Sequence, residues 1–299
     1  MRNSAEEIAV LAECDRISDN ERISFDMKDR VFSGAVLIAF ILAIVLFNNS
    51  FPIVLNISIA LIASVAVYEL IKAIGLGNRR LVVVPSMAAA AAVQFFHFEN
   101  ANLLIYSLYA AIIFCVLLKY HSEISFKDIS VAMCMTIIIP LALQCIVTVR
   151  SLSAEHGVFY ALVAVFSAWV PDCGAFFAGK FFGKRKLCPQ ISPKKTVEGF
   201  IGGIISSVAV LVIAGVVYSN LIYSGDNGVS VLSMLLIGFF SAFVSALGDL
   251  TFSLVKRSYG VKDFGNVLPG HGGILDRFDS VIFTAPFVYL TASMLPMIF

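Results

Sequence analysis

The chain has 299 residues, 59 % of them hydrophobic and only 14 % charged, with a formal net charge of +1. Soluble domains carry about 25 % charged and about 45–50 % apolar residues, so this composition excludes an ordinary water-facing surface, and no basic tail supports nucleic-acid binding. A mean hydropathy of +0.92 points instead to a polytopic membrane protein.

Residues 1–30 come first as a polar head with eight acids and five Lys/Arg. Glu6, Glu7, Glu13, Asp15, Asp19 and Glu21 precede any apolar core, unlike a signal peptide. Apolar runs follow at 31–49, 52–71, 81–98, 101–118, 130–149, 158–178, 200–223, 229–255 and 279–298. Each is near the roughly 17–25 residues that cross about 30 Å of hydrocarbon as a helix. None alternates as barrel strands do. The fold class expected is all-α, a polytopic integral membrane bundle of about nine transmembrane helices. The chain divides into a polar cytoplasmic segment (1–30), N-terminal transmembrane helices (31–160) and a C-terminal transmembrane catalytic region (161–299). With the N-terminus inside, all but one of the 21 Lys/Arg fall on the inner side, the exception being Arg150. This matches the excess of basic residues in cytoplasmic loops and predicts a multi-pass protein of the inner or plasma membrane with cytoplasmic catalytic loops. The six cysteines, Cys14, Cys115, Cys134, Cys145, Cys173 and Cys188, form no CxxC pair. They are read as small hydrophobes, not as a disulfide framework or zinc site.

Two inner loops carry more than topology charge. In 179–199, Lys184, Arg185 and Lys186 are explained by sidedness alone. Ser192-Pro193-Lys194-Lys195-Thr196 is not. It sets two ammonium groups and two hydroxyls just before a helix expected near Gly199, an arrangement suited to phosphate oxygens. In 256–279, glycines and a proline are interspersed with charge. Lys256, Arg257, Lys262 and Arg277 suit phosphates there, and Asp263, Asp276 and Asp279 suit a hard cation such as magnesium. No GxxxxGK[ST] is present.

Acids inside apolar runs are costly and so point to a cavity, a partner or an ion. Asp249 and Asp172 are such acids. The plain alternative for Asp249 is an ion pair with Lys256 or Arg257, and for Asp172 a hydrogen bond inside the bundle. Asp276 and Asp279 share one face if their stretch is helical. Glu69, three residues before Lys72 at a helix end, is accounted for by a salt bridge. His271, between Gly270 and Gly272, suits a general acid, a phosphate donor or a loop organiser.

The stretch Ser253-Leu-Val-Lys-Arg-Ser-Tyr-Gly-Val-Lys-Asp-Phe-Gly-Asn-Val-Leu-Pro-Gly-His-Gly-Gly-Ile-Leu-Asp-Arg-Phe-Asp279 resembles the signature of phosphatidate cytidylyltransferases, also called CDP-diglyceride synthetases. Ile191-Ser-Pro-Lys-Lys-Thr with Glu198-Gly199, and Asp172-Cys-Gly-Ala-Phe-Phe with Gly183-Lys184, are similar to two further blocks of that family. The resemblance covers the chain from about 165 to its end. It departs at Val197, where a Trp is common, at Phe176 in place of Tyr, and at Phe252 in place of Glu. It implies a magnesium-dependent enzyme, often a homodimer, that joins CTP and phosphatidate into CDP-diacylglycerol and pyrophosphate at the bilayer. It also implies that Asp249 and Asp276 bind the metal. Asp279, Asp172, Lys256, Arg257, Lys262, His271 and Arg277 would line the polar cavity, and Ser192, Lys194, Lys195 and Thr196 would hold nucleotide or lipid phosphate. The competing classes are another lipid-phosphate enzyme, such as a polyprenol kinase or an ether-lipid cytidylyltransferase, and a secondary transporter. A transporter is disfavoured because no internal repeat is visible.

Overall fold

In the computed structural model the described residues are 51, 53–96, 100–222, 228–267 and 272–298. The polar head, the 31–49 run and His271 lie outside them. The described chain forms eight α-helices and one hairpin. The helices are α1 (Ile53–Ala73), α2 (Arg80–Ala92), α3 (Ala101–Lys119), α4 (Phe126–Ser151), α5 (Gly157–Phe182), α6 (Val197–Val217), α7 (Val231–Ser258) and α8 (Leu275–Met294). A π-helical segment, Tyr218–Ile222, extends α6. Strands β1 (Lys186–Cys188) and β2 (Ser192–Thr196) pair antiparallel between α5 and α6.

The class is all-α, but the expectation of about nine spans is corrected. Among the described residues six helices are long and apolar enough to cross a membrane: Ile53–Ala73, Ala101–Lys119, Phe126–Ser151, Gly157–Phe182, Val197–Asn220 and Val231–Ser258. The 81–98 run fails because its helix stops after 13 residues, a rise of about 20 Å. Side chains from neighbouring helices then satisfy the carbonyls past its end. Gln144 Nε2 donates to the Val93 carbonyl at 2.7 Å, and Asn56 Nδ2 to the Gln94 carbonyl at 2.6 Å. The 279–298 run fails because its helix begins earlier, at Leu275, and takes Asp276, Arg277 and Asp279 into its first turns. That helix packs against α4, α5 and α7, so protein surrounds much of it, and its polar turn does not need to be apolar.

The alternating helices bring one set of ends together. The last turn of α1, the starts of α4 and α6, the hairpin, the end of α7 and the start of α8 meet there. The Tyr259 hydroxyl donates to Asp128 at 3.2 Å, and Lys127 Nζ lies over the Tyr259 ring, 5.8 Å from its centroid. Arg150 sits at the far end of α4.

The core is Leu, Ile, Val and Ala from α1, α2, α4 and α8, with Leu70, Ile71, Leu143 and Val281 fully buried. A second cluster joins α5 to α7 through Tyr160, Leu211, Met234 and Ile237. Helices α5 and α6 approach closely along a stripe of small residues. A Cβ at Gly202 would overlap the Ala178 methyl, and one at Gly174 would overlap the Ser206 hydroxyl. Gly202→Leu is therefore expected to cost about 1–3 kcal/mol by overpacking. Thermal melts in detergent should show a lower midpoint for Gly202→Leu than for Ile205→Leu, whose side chain faces outward.

Candidate functional site

A cavity of about 560 Å³ opens at the charged end between α5, α6, α7, α8 and the hairpin. This lies within the range of small-molecule sites, about 300–1,000 Å³. Local chain chemistry builds each wall. Thr196 ends β2 and caps α6, its hydroxyl accepting from Gly199 N at 3.1 Å. Glu198 in the first turn of α6 accepts from the backbone of Lys184 and Arg185 at 3.0 and 3.1 Å. The hairpin is thereby tied to the helix start that follows it, with Ser192, Lys194, Lys195 and Thr196 on the cavity.

The acids come from three helices. Asp172 of α5 accepts from Ser245 and Ser280, each at 2.8 Å, so it is a hydrogen bonder inside the bundle. Asp249 of α7 pairs with Lys195 at 2.5 Å and accepts from Ser253 at 3.2 Å. The pairing with Lys256 or Arg257 considered from sequence is replaced by one with a residue of the hairpin. Lys256 instead turns to α8, 2.8 Å from Asp276 and 4.0 Å from Asp279. The second Asp276 oxygen accepts from Phe264 N at 2.9 Å and Gly273 N at 3.0 Å. Asp279 accepts from Ser280 N at 2.7 Å. Asp172, Asp249 and Asp279 lie near enough to act on one another electrostatically.

The structure brings Asp172, Ser192, Lys194, Lys195, Thr196, Asp249, Lys256, Asp276, Arg277 and Asp279 to this one cavity. It leaves Arg257 exposed, with its guanidinium on the Val261 carbonyl at 3.4 Å. Lys262 is exposed and outside the lining. Lys180 and Asp263 join the lining. The sequence reading passed over Lys180 because it looks like a basic helix end. Phe252, where the resemblance expects an acid, is buried edge-on to Phe264 and Phe283.

Among the described residues no three His, Cys, Asp or Glu side chains are grouped to hold a metal ion by themselves. The donor set is nevertheless carboxylate and hydroxyl oxygen, the chemistry of a hard cation. The five cavity acids are matched by five bases: Lys180, Lys194, Lys195, Lys256 and Arg277. Such a balanced cavity fits an anion and a cation entering together, with phosphates on the bases and the cation on the acids. Magnesium suits it, since that ion is usually held by one or two carboxylates plus substrate phosphates.

A polytopic helix bundle with a phosphate-type cavity at one end defines a membrane enzyme acting at the lipid surface. Sequence comparison gives the particular family. Residues 28–295 match the cytidylyltransferase family, and the chain belongs to it. It is 34 % identical over 276 residues to the phosphatidate cytidylyltransferase of Bacillus subtilis, covering 88 % of this chain and 97 % of that one. It is 32 % identical over 270 residues to that of Staphylococcus haemolyticus, covering 87 % and 96 %. Over 132 residues it is 43 % identical to that of Haemophilus influenzae, covering 44 % and 45 %.

The cavity separates the basic residues of the hairpin region into two groups. Lys194 and Lys195 line it, whereas Lys184 and Arg185 point to solvent. Lys195→Ala is expected to lower kcat/KM for cytidylyl transfer on the order of ten- to a hundredfold, the loss of one charged hydrogen bond. Lys194→Ala should fall in the same direction, and Lys184→Ala and Arg185→Ala should stay near wild type in a radiolabelled-CTP assay.

Proposed function

We propose that the protein transfers the cytidylyl group of CTP to phosphatidate, giving CDP-diacylglycerol and pyrophosphate. The observation that carries this reading is the cavity's two-sided character. Its polar wall sets carboxylates among Lys194, Lys195 and Lys256, while Phe176, Phe200, Ala242 and Ala246 form an apolar wall between membrane-length helices. A substrate with a phosphate head and apolar tails matches both walls.

The chemistry asks little of a general base. A phosphate monoester has a second pKa of about 6 and is already largely ionised near neutrality. Its oxygen attacks the α-phosphorus of CTP, the new P–O bond forms, and the bond to the β-phosphate breaks to release pyrophosphate. Positioning and charge neutralisation carry such a transfer. Ser192, Lys194, Lys195 and Thr196 bind phosphate oxygens from the hairpin. Asp249 and Asp276 are the carboxylates that would hold magnesium, with Asp279 beside them. When bound, that ion supplies charge neutralisation on the phosphates and the leaving group. Asp172 orients Ser245 and Ser280 behind the acids. Lys256 holds Asp276 in place, and Arg277 lines the cavity mouth. Arg257, in the last turn of α7, and Lys262 just beyond it would add positive charge near the cavity without lining it.

The same reading places the hairpin and the 259–274 loop in the cytosol, where CTP is found, and includes the homodimer that the resemblance implies. The outward apolar faces of α3 and α6 offer a surface for it. Cysteines at Lys186 and Lys262 should then react with an impermeant reagent from the cytoplasmic side, in a background cleared of reactive native thiols. One at Ser153 should react from the opposite side. Labelling of 186 and 153 from one side would overturn the orientation.

Labelled CTP incubated with phosphatidate vesicles should give a labelled lipid and stoichiometric pyrophosphate in the presence of magnesium. Asp249→Asn keeps shape but removes the charge, and should fold yet lose nearly all transfer. Part of the loss should return at high magnesium by mass action. Near-normal turnover per folded molecule, with unchanged magnesium dependence, would remove Asp249 from the cation site.

A further inference from the structure

We infer that Glu69, in the N-terminal half of the chain, is a positioning residue for the acidic turn of α8, capping that helix from another part of the fold. This rests on the reading that Asp276 and Asp279 belong to the reacting cavity. Helix α8 starts without a cap of its own. Ile274 at its N-cap position is already helical in conformation and makes no side-chain cap bond. The first amides of a helix have no partner within the helix, and here Glu69 provides one. Its Oε1 accepts from Ile274 N at 3.1 Å and its Oε2 from Leu275 N at 2.8 Å, with the residue 1 % exposed. The next amide back, Gly273 N, is taken by Asp276. Three successive N–H groups are thus divided between Glu69 and Asp276, and moving one carboxylate moves the turn that orients the other. A negative charge at this end also suits the helix dipole.

Two glycines fit the same arrangement. Gly265 and Gly273 both lack a positive φ, unlike Gly260 and Gly272, so their backbones do not call for glycine. What requires it is space: a Cβ at either position would overlap the Glu69 carboxylate. Gly265 and Gly273 therefore both close on this side chain. Glu69 does not line the cavity, so its influence on the reaction passes through Asp276 and Asp279.

The test uses the full chain in nanodiscs, with thermal melts, kcat, KM for CTP and half-saturating magnesium measured together. Glu69→Gln keeps volume but turns one acceptor into a donor facing an amide. It should fold, with kcat lowered roughly tenfold or more well below its melting temperature and half-saturating magnesium raised. Gly273→Ala should be impaired similarly. Combining it with Glu69→Asp, whose shorter side chain clears the new methyl, should recover part of the lost turnover. Wild-type kcat and magnesium dependence in folded Glu69→Gln would overturn the inference. So would a double variant no better than Gly273→Ala alone, an outcome that decides the matter even if Glu69→Gln fails to fold. An inactive wild type, or a fully active Asp276→Asn, would count against the functional reading itself and is distinguishable from either result.

Discussion

The ion pair between Lys195 and Asp249 is the contact on which the charged end of the bundle turns. It ties the hairpin to α7 across 54 residues of sequence, and it does so because a carboxylate set among apolar helices is tolerated only with its oxygens occupied. The same demand shapes the neighbouring acids. Asp172 holds two serine hydroxyls from α7 and α8, and Asp276 holds Lys256 and two amides. Removing one partner of a buried pair costs about 3–5 kcal/mol, and the Lys256 and Asp276 side chains are only 11 % and 7 % exposed. Four elements are therefore fixed relative to one another by the polar groups that the apolar packing alone would leave undetermined.

That arrangement bears on how the proposed reaction uses the cavity. In the protein by itself, ammonium groups sit on the carboxylates: Lys195 on Asp249, and Lys256 on Asp276. At these two pairs a cation alone would have to displace an ammonium group, and an anion alone a carboxylate. A nucleotide carrying its cation would suit both sets of groups at once: Asp249 and Asp276 would hold the cation, and Lys195 and Lys256 would neutralise phosphate charge. The balance of charge along the lining favours the joint ligand over either component.

Much of this was legible in the sequence. Helices α1, α3, α4, α5, α6 and α7 fall where the apolar runs lie, because a 20-residue apolar stretch has few other ways to satisfy its backbone in lipid. The Ser192–Thr196 and 256–279 segments stood out because neither sidedness nor packing accounts for their chemistry. The failures have physical causes. The run at 81–98 is apolar throughout, and nothing local announces that Asn56 and Gln144 terminate its helix from two other elements. The run at 279–298 reads as a membrane span because Asp276 and Arg277 fall in the loop before it when the apolar run alone sets the bounds. Pairing partners were misjudged for one reason in two places. Lys72 and Lys256 are near Glu69 and Asp249 in sequence, whereas their actual partners come from elements far along the chain.

The fold also limits where a phosphate reaction on a lipid can take place. The cavity's polar groups sit where α6 and α8 begin and within the last three turns of α5 and α7, and the apolar lining between them is mostly Ala, Gly and Phe. Close contact between α5 and α6 at Gly174 and Gly202 leaves little freedom for these helices to separate. The apolar wall is accordingly close-packed, and the hairpin is tied to it by Glu198, Thr196 and Lys195. A substrate anchored by its tails presents its phosphate at a fixed depth, so the groups that meet it have to stand at that depth. The hairpin and the helices meet that requirement together: Lys194 and Lys195 stand on the hairpin beside the carboxylates of α5, α7 and α8, all on one cavity.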